Sequence, residues 1–143
     1  MAKKKNQKVR EVMTAEPVTI EASTPLTSAA RAMRDGDIGS VIVMADGSVQ
    51  GILTDRDIVI RAVAEGRDPA ETSAAEICSG ELVCVQAEDS VTEAIRLMRE
   101  KTVRRLPVVD GGRPVGIVSL GDLAVERDRD SVLGEISAAN PNR

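Results

Sequence analysis

The sequence predicts an α+β fold built from two copies of one β-α-β-β-α unit. The first observation is an internal repeat, because residues 12–63 align with residues 77–128 at a constant offset of 65 without a gap. Thirteen of the 52 aligned pairs are identical. The second is the helical spacing of apolar residues in each copy, and the third is a pair of β-branched segments around a glycine turn. Units this small bury little surface alone, so we expect the two copies to pack with pseudo-twofold symmetry.

A short strand opens each copy, at Val18–Ile20 in the first and at Val83–Val85 in the second. The next segment has apolar residues at i, i+3, i+4 and i+7, which is the spacing of one helical face. These positions are Leu26, Ala29, Ala30 and Met33 in the first copy, and Val91, Ala94, Ile95 and Met98 in the second. Thr24 before Pro25 and Asp89 before Ser90 are typical of helix starts, so a helix is expected in each copy.

Two strands rich in β-branched residues follow the helix in each copy. They are Ser40–Met44 and Val49–Leu53 in the first copy, and Leu106–Val109 and Val115–Val118 in the second. The connections carry Asp-Gly or Gly-Gly pairs, which favour tight hairpin turns. A second helix is predicted to start near Asp55 and to end at Gly66, and its counterpart is predicted to start near Gly121.

The segments outside the repeats are predicted to be irregular. Five basic residues precede the first acidic one and indicate a flexible, solvated arm, while Pro69 and small polar residues indicate a linker. The predicted organisation is a basic arm at 1–11, the first repeat at 12–66, a linker at 67–76, the second repeat at 77–128 and a C-terminal tail at 129–143.

Composition excludes several classes of function. The chain has no His, which removes Ser-His-Asp and Cys-His nucleophile pairs and the imidazole metal ligand, so we expect neither an enzyme nor a metal site. It also has no Phe, Tyr or Trp, and therefore no stacking platform for nucleic-acid bases. Beyond residue 10 there are 14 basic against 23 acidic residues, which does not fit specific binding of nucleic acid.

Hydropathy and cysteine content indicate where the protein acts. No apolar run approaches the length of a membrane span, and the basic start is not followed by a signal-like apolar stretch, so no membrane association is expected. Cys78 and Cys84 are too few for a disulfide framework. The sequence therefore predicts a cytoplasmic protein.

One motif occurs in register in both copies. Its form is Gly-hydrophobic-hydrophobic-Ser/Thr-x-x-Asp-hydrophobic, and it reads Gly51-Ile52-Leu53-Thr54-Asp55-Arg56-Asp57-Ile58 and Gly116-Ile117-Val118-Ser119-Leu120-Gly121-Asp122-Leu123. This resembles the signature of the CBS domain, the cystathionine β-synthase type repeat, which occurs in tandem pairs. The segment Val103 to Asp110 is similar to the second-strand segment of that family.

The resemblance implies a regulatory module without enzymatic activity. Tandem CBS repeats often bind AMP, ADP, ATP or S-adenosylmethionine in the cleft between repeats, and two modules commonly form a homodimer. The acid of the motif then accepts hydrogen bonds from the ribose, and the hydroxyl lies beside the ribose and phosphates. Carried over to this chain, those residues are Thr54, Asp57, Ser119 and Asp122, with Val18 and Val83 close to the adenine.

Arginines distinguish the second copy from the first. Arg104 and Arg105 stand where the first copy has Gly39 and Ser40, and Pro107 replaces Ile42. The resemblance places these residues at the border of the cleft, where an arginine could pair with phosphate. The alternative is a charge on an edge strand that faces water, and the sequence does not choose between them.

A second interpretation of the motif needs no ligand. Thr54 and Ser119 also fit N-caps, with an acid three residues on, so capping alone would explain all four residues. The protein would then be a stress-related scaffold that acts as a CBS dimer and signals through a protein partner that the sequence does not identify.

Overall fold

The computed structural model describes residues 7–78 and 82–127, with side chains to residue 124. In chain order the strands are β1 (Thr14–Ala15), β2 (Thr19–Glu21), β3 (Ser40–Ala45), β4 (Ser48–Thr54), β5 (Val85–Gln86), β6 (Arg105–Asp110) and β7 (Arg113–Ser119). The helices are α1 (Leu26–Gly36), α2 (Asp55–Ile58), α3 (Ala74–Ile77), α4 (Val91–Lys101) and α5 (Leu120–Arg127). A π-helical turn, Val59–Val63, continues α2. The predicted C-terminal tail lies outside the described residues.

The chain divides into two compact units, each with its own sheet and core. Of the described residues, 18–78 and Leu82 form the first-repeat unit, and residues 7–17 join residues 83–127 in the second-repeat unit. The predicted α+β class is confirmed, since each unit combines helices with one mixed sheet. No helix in the described ranges is long and apolar enough to cross a membrane.

The first-repeat unit is organised around a three-stranded sheet in the order β2-β3-β4. β2 runs parallel to β3, and β3 pairs with β4 in an antiparallel hairpin. Asp46 and Gly47 both have positive φ, 53° and 79°, as the tight hairpin turn requires. The apolar faces of α1 and the sheet close a core of Leu26, Ala29, Met33, Val41, Val43, Leu53, Ile58, Ala62, Ala74, Ile77 and Cys78.

The second-repeat unit has a four-stranded sheet in the order β1-β7-β6-β5. β6 and β7 form the equivalent hairpin, with Gly111 and Gly112 at positive φ in the turn. Its core contains Val9, Val85, Ala87, Val91, Ala94, Met98, Leu106, Val108, Val118 and Leu123. The predicted helix faces are thus confirmed, except that Ala30 is exposed and Ile95 is only partly buried.

Residues 7–11 are not the flexible arm that the sequence predicts. Val9 is fully buried, and the turn Val9–Glu11 is anchored because Val9 N donates to Asp89 O at 2.8 Å. Lys8 also forms an ion pair with Glu88. The prediction failed because a single apolar residue among basic ones carries no periodic signal.

The predicted linker at 67–76 also contains regular structure, since α3 occupies Ala74–Ile77. Ala74 N donates to Thr24 O at 2.8 Å, and Ala74 is as buried as Val9. At the offset of 65, Ala74 is the counterpart of Val9 and Thr24 that of Asp89. The repeat therefore begins with a helical turn in both copies, several residues earlier than its predicted starts at 12 and 77.

Gly116 in β7 is the point where the N-terminal segment packs most closely. A Cβ at this position would lie 2.5 Å from Met13 Sδ and 2.8 Å from the Thr14 carbonyl oxygen. We expect Gly116→Ala to lower the free energy of unfolding by about 1–3 kcal/mol, because β1 must move away from β7. Urea unfolding followed by circular dichroism measures this change.

Gly36→Ala is the matched control for that substitution. Its Cβ would meet only Ile38 at 3.5 Å, at the end of α1, so its stability should be unchanged or slightly higher. Equal stabilities of Gly116→Ala and the unsubstituted protein would contradict the tight packing of β1 against β7.

Candidate functional site

Both copies of the Ser/Thr-x-x-Asp motif form the same reciprocal pair of hydrogen bonds. At the start of α2, Asp57 N donates to Thr54 Oγ1 at 3.1 Å and Thr54 N donates to Asp57 Oδ2 at 2.9 Å. At the start of α5, Asp122 N donates to Ser119 Oγ at 3.1 Å and Ser119 N donates to Asp122 Oδ2 at 2.8 Å. The capping role of all four residues is thereby confirmed.

Capping occupies only one oxygen of each carboxylate. Within the described residues, Oδ1 of Asp57 and Oδ1 of Asp122 accept no hydrogen bond. Both side chains are only partly exposed, and the cap bond to Oδ2 restrains each carboxylate. An ionised carboxylate held in this way accepts a hydroxyl hydrogen from a ligand at low entropic cost.

Arg105 joins Ser119 and Asp122 in the second-repeat unit. Arg105 on β6 is directly paired with Ser119 on β7, so the two side chains lie on the same face of the sheet. Arg105 Nε is buried and has no hydrogen-bond partner among the described residues. Burial raises the pKa of Asp122, while the hydrogen bonds from Ser119 and the charge of Arg105 act in the opposite direction. These three residues form one polar cluster, which we call the second-repeat cluster.

The first-repeat unit lacks the cation of this cluster. Ser40 is the residue paired with Thr54, and it is 4% exposed. Near Asp57 lies Cys78, whose thiol pKa is raised by burial and by the negative charge of Asp57. The positive charge of Arg61 acts in the opposite direction on the Cys78 pKa, and its Nη1 donates to the Ile77 carbonyl at 2.9 Å. The two motifs therefore form the same type of cap, but a cation is paired with the motif hydroxyl residue only in the second-repeat unit.

Pro107 changes the strand beside the second-repeat cluster. In the first repeat, Ile42 N donates to Val18 O at 2.9 Å, and β2 begins at Thr19. Pro107 occupies the position of Ile42 and has no N–H, so the carbonyl of Val83 loses this donor. The pairing consequently starts later, and β5 begins at Val85 rather than at the predicted Val83.

The structure brings together some of the predicted site residues and separates others. Arg105, Ser119 and Asp122 form the cluster just described, and Val83 and Pro107 belong to the same unit. Thr54, Asp57 and Val18 belong to the first-repeat unit, where the Val18 side chain is 37% exposed. Arg104 is exposed and contributes its carbonyl, which accepts from Leu120 N at 2.8 Å. In the described part of the chain, no His, Cys, Asp or Glu side chains group as a metal site would require.

One surface of the first-repeat unit was missed by the sequence analysis. A cleft of about 510 Å³ lies between α1 and α2, and Val59, Ile60 and Val63 next to it are 48–58% exposed. The spacing of these three residues is that of one helical face, but such a face is usually buried. The available signal was a difference between the copies at two of the three positions, since Val59 corresponds to Ala124 and Val63 to Asp128, whereas Ile60 corresponds to Val125.

Comparison with known proteins identifies the repeats. The family model described as "CBS domain" matches residues 9–63 and 74–128. The CBS domain-containing protein YhcV of Bacillus subtilis is 40% identical over 119 residues, which cover 83% of this chain and 84% of that protein. Hypoxic response protein 1 of Mycobacterium tuberculosis is 40% identical over 116 residues, covering 80% and 81%.

Solved structures agree with the sequence relatives. A crystal structure of Hypoxic Response Protein I with two coordinated zinc ions has a TM-score of 0.74 at 39% identity, covering 82% of this chain and 97% of that one. A hexameric CBS-CP12 protein from bloom-forming cyanobacteria has a TM-score of 0.76 at 30% identity, covering 94% and 82%.

A third structure shares the fold at lower identity. It is the CBS domain pair of protein MJ0100 in complex with 5′-methylthioadenosine and S-adenosyl-L-methionine, with a TM-score of 0.77 at 22% identity and coverage of 87% and 98%. The repeat at an offset of 65, the two capped Ser/Thr-x-x-Asp motifs and these matches lead to one conclusion. The chain belongs to the CBS domain family and carries two such domains.

Proposed function

We propose that this protein is a non-enzymatic, cytoplasmic regulatory module that binds an adenine nucleotide, such as AMP, ADP or ATP, or a related adenosyl ligand. The observation that carries the proposal is the second-repeat cluster, in which the Nε of Arg105 is buried without a partner beside Asp122. A buried donor without a partner is costly, and a bound anion would supply the missing acceptor.

The cluster has the groups that a phosphorylated ribose needs. Asp122 Oδ1 does not take part in the cap and can accept from ribose hydroxyls, and the guanidinium of Arg105 can pair with a phosphate. The N-terminus of α5 adds a favourable local dipole for an anion. Because the chain has no aromatic residue, the base must lie against aliphatic side chains such as Val83.

The two repeats should differ in the ligand they accept. Asp57 in the first-repeat unit offers the same free oxygen, but Ser40 takes the place of Arg105. A phosphate group near Asp57 would meet a carboxylate without a compensating cation at that strand position. We therefore assign the phosphorylated ligand to the second-repeat cluster.

Regulation follows from binding only if the two states of the module differ in affinity for another molecule. A ligand shifts such an equilibrium by its differential affinity for the two states. We propose that the module acts as a homodimer and passes its signal to a protein partner. Support for self-association comes from the family, in which the related CBS-CP12 protein is hexameric.

A second candidate function is a ligand-free scaffold, and one observation favours it. All four residues of the two motifs are used in complete capping boxes, so their presence has a purely structural explanation. In this case the CBS dimer would be a stable platform for a protein partner.

Thermal unfolding distinguishes these two functions. With AMP, ADP, ATP, NAD or S-adenosylmethionine each at about 100 times its dissociation constant, the folded state should gain about 2.7 kcal/mol, a shift of several degrees. Circular dichroism is the appropriate signal because the chain has no Trp or Tyr. A selective shift identifies the ligand, whereas unchanged melting with all five compounds at millimolar concentration would favour the scaffold.

A further inference from the structure

One backbone carbonyl of the second-repeat unit lacks the donor that its counterpart in the first repeat has. In the first-repeat unit, Ile42 N donates to Val18 O at 2.9 Å. At the offset of 65, these residues correspond to Pro107 and Val83, and a proline has no N–H to donate. In the described part of the chain, no backbone N–H donates to Val83 O. A single residue type thus leaves open in one repeat an acceptor that is occupied in the other.

The surroundings of this carbonyl give it less water than an ordinary loop carbonyl has. Val83 is half-buried and Pro107 is buried. A backbone acceptor that is partly removed from water is stabilised by a donor that reaches it, and few such groups are left without one in folded proteins. A ligand with an N–H group at this position would supply that donor.

The open carbonyl lies close to the second-repeat cluster. Arg105 and Pro107 are alternate residues of β6, so their side chains share one face of the sheet about 7 Å apart along the strand. Val85 is paired with Val108, which brings Val83, two residues earlier, near the 105–107 segment. Arg105 Nε is the buried donor without a partner among the described residues. An open donor and an open acceptor therefore border the same part of β6.

We infer that Val83 O accepts a hydrogen bond from the exocyclic amino group of the bound base, so that Pro107 makes the site selective for a 6-amino purine over a 6-keto purine. The inference rests on the proposed nucleotide site and adds the residue that sets its base specificity. An amino group satisfies the carbonyl, whereas a keto oxygen would place two acceptors against each other. The first repeat does not share this device, because Ile42 N already occupies Val18 O.

Titration of AMP and of inosine monophosphate, its 6-keto analogue, into the full chain tests this selectivity. The unsubstituted protein should bind AMP about 10-fold more tightly than inosine monophosphate. Pro107→Ala restores an N–H without adding bulk, so AMP should weaken until the two dissociation constants agree within about 2-fold. Pro107→Ile, which introduces the residue type of the first repeat, should give the same result. Pro114→Ala is the matched control, since Pro114 lies in β7 of the same sheet, and it should leave the preference unchanged.

Hydrogen exchange supplies a second measurement that needs no ligand. The new amide at position 107 of the Pro107→Ala variant should exchange slowly with solvent, because Val83 O accepts its hydrogen. Fast exchange of that amide would overturn the premise that proline is what leaves the carbonyl open.

The titrations separate failure of this inference from failure of the nucleotide site. Equal affinity of the unsubstituted protein for both nucleotides would overturn the role of Val83 O and keep the site. A preference for AMP that persists in both Pro107 variants would do the same. An unsubstituted protein that binds neither nucleotide would overturn the nucleotide site and this inference with it.

Discussion

Replacing Asp122 by alanine is expected to weaken the binding of AMP by about 10-fold to 150-fold. The loss corresponds to about 1.5–3 kcal/mol, the usual contribution of hydrogen bonds to a charged group. In the structure Asp122 Oδ2 accepts from Ser119 N, and Oδ1 is the atom that we propose for the contact with the ribose. Isothermal titration calorimetry measures the affinity, and urea unfolding of the same variant measures the loss of the cap.

Asp57→Ala is the matched control, because it removes an identical capping box from the other repeat. Both variants should lose about 0.5–2 kcal/mol of stability, but only Asp122→Ala should lose AMP affinity. Asp122→Asn should lose less affinity than Asp122→Ala, since its amide oxygen still accepts from Ser119 N and its NH2 group can donate to a ribose hydroxyl oxygen, although without the charge. Equal AMP affinity in Asp122→Ala and Asp57→Ala would remove the second-repeat cluster from the binding site.

The repeat explains why so much of the fold was predictable from the sequence. Each predicted strand and helix has a counterpart 65 residues away, so a weak local pattern such as Val49–Leu53 is supported by a second example. The hairpins were predictable from their turn residues. Asp46-Gly47 and Gly111-Gly112 adopt positive φ in the structure, which Asp and Gly tolerate better than most residues. The repeat also indicated the motif residues before any contact was visible.

The errors arose where neither periodicity nor turn chemistry gives a signal. Val9 is buried in a segment held by long-range backbone hydrogen bonds, from Val9 N to Asp89 O and from Arg10 N to Ala87 O, which a local pattern cannot indicate. The starting points of the repeats were set too late because each initial helical turn has only three or four residues, too few to show a helical period. The exposed face at Val59 to Val63 was missed because amphipathic spacing does not say what covers the apolar side.

The arginine that lies beside the motif could not be predicted from the sequence, for another reason. The sequence placed Arg104 and Arg105 together and could not say which of them meets the motif. The register of β6 against β7 pairs Arg105 with Ser119 and leaves the Arg104 side chain exposed. A shift of one residue would have exchanged the two, because alternate residues of a strand face opposite sides of the sheet.

Arg105→Gln is therefore expected to reduce AMP affinity by about 10-fold to 150-fold and to leave adenosine affinity unchanged. A charge-assisted contact with phosphate contributes about 1.5–3 kcal/mol. Adenosine has no phosphate and does not make this contact, so the substitution should not weaken its binding. Arg104→Gln removes an equal charge from the adjacent position and should change neither affinity by more than about 2-fold, because screening weakens exposed charges. Titrating AMP and adenosine into each variant measures four dissociation constants. Each is divided by the dissociation constant of the same ligand for the unsubstituted protein, which gives four ratios.

The pattern of these ratios separates two roles for Arg105. If the guanidinium serves only to hold Asp122 ionised, its removal raises the pKa of Asp122 further, since the positive charge of Arg105 now lowers it. A protonated carboxyl is a poorer acceptor for the ribose, so adenosine and AMP would then weaken by the same factor. A loss confined to AMP places the phosphate against Arg105. An equal loss for both ligands would make Arg105 a positioning residue for Asp122 and would withdraw the phosphate contact from the site.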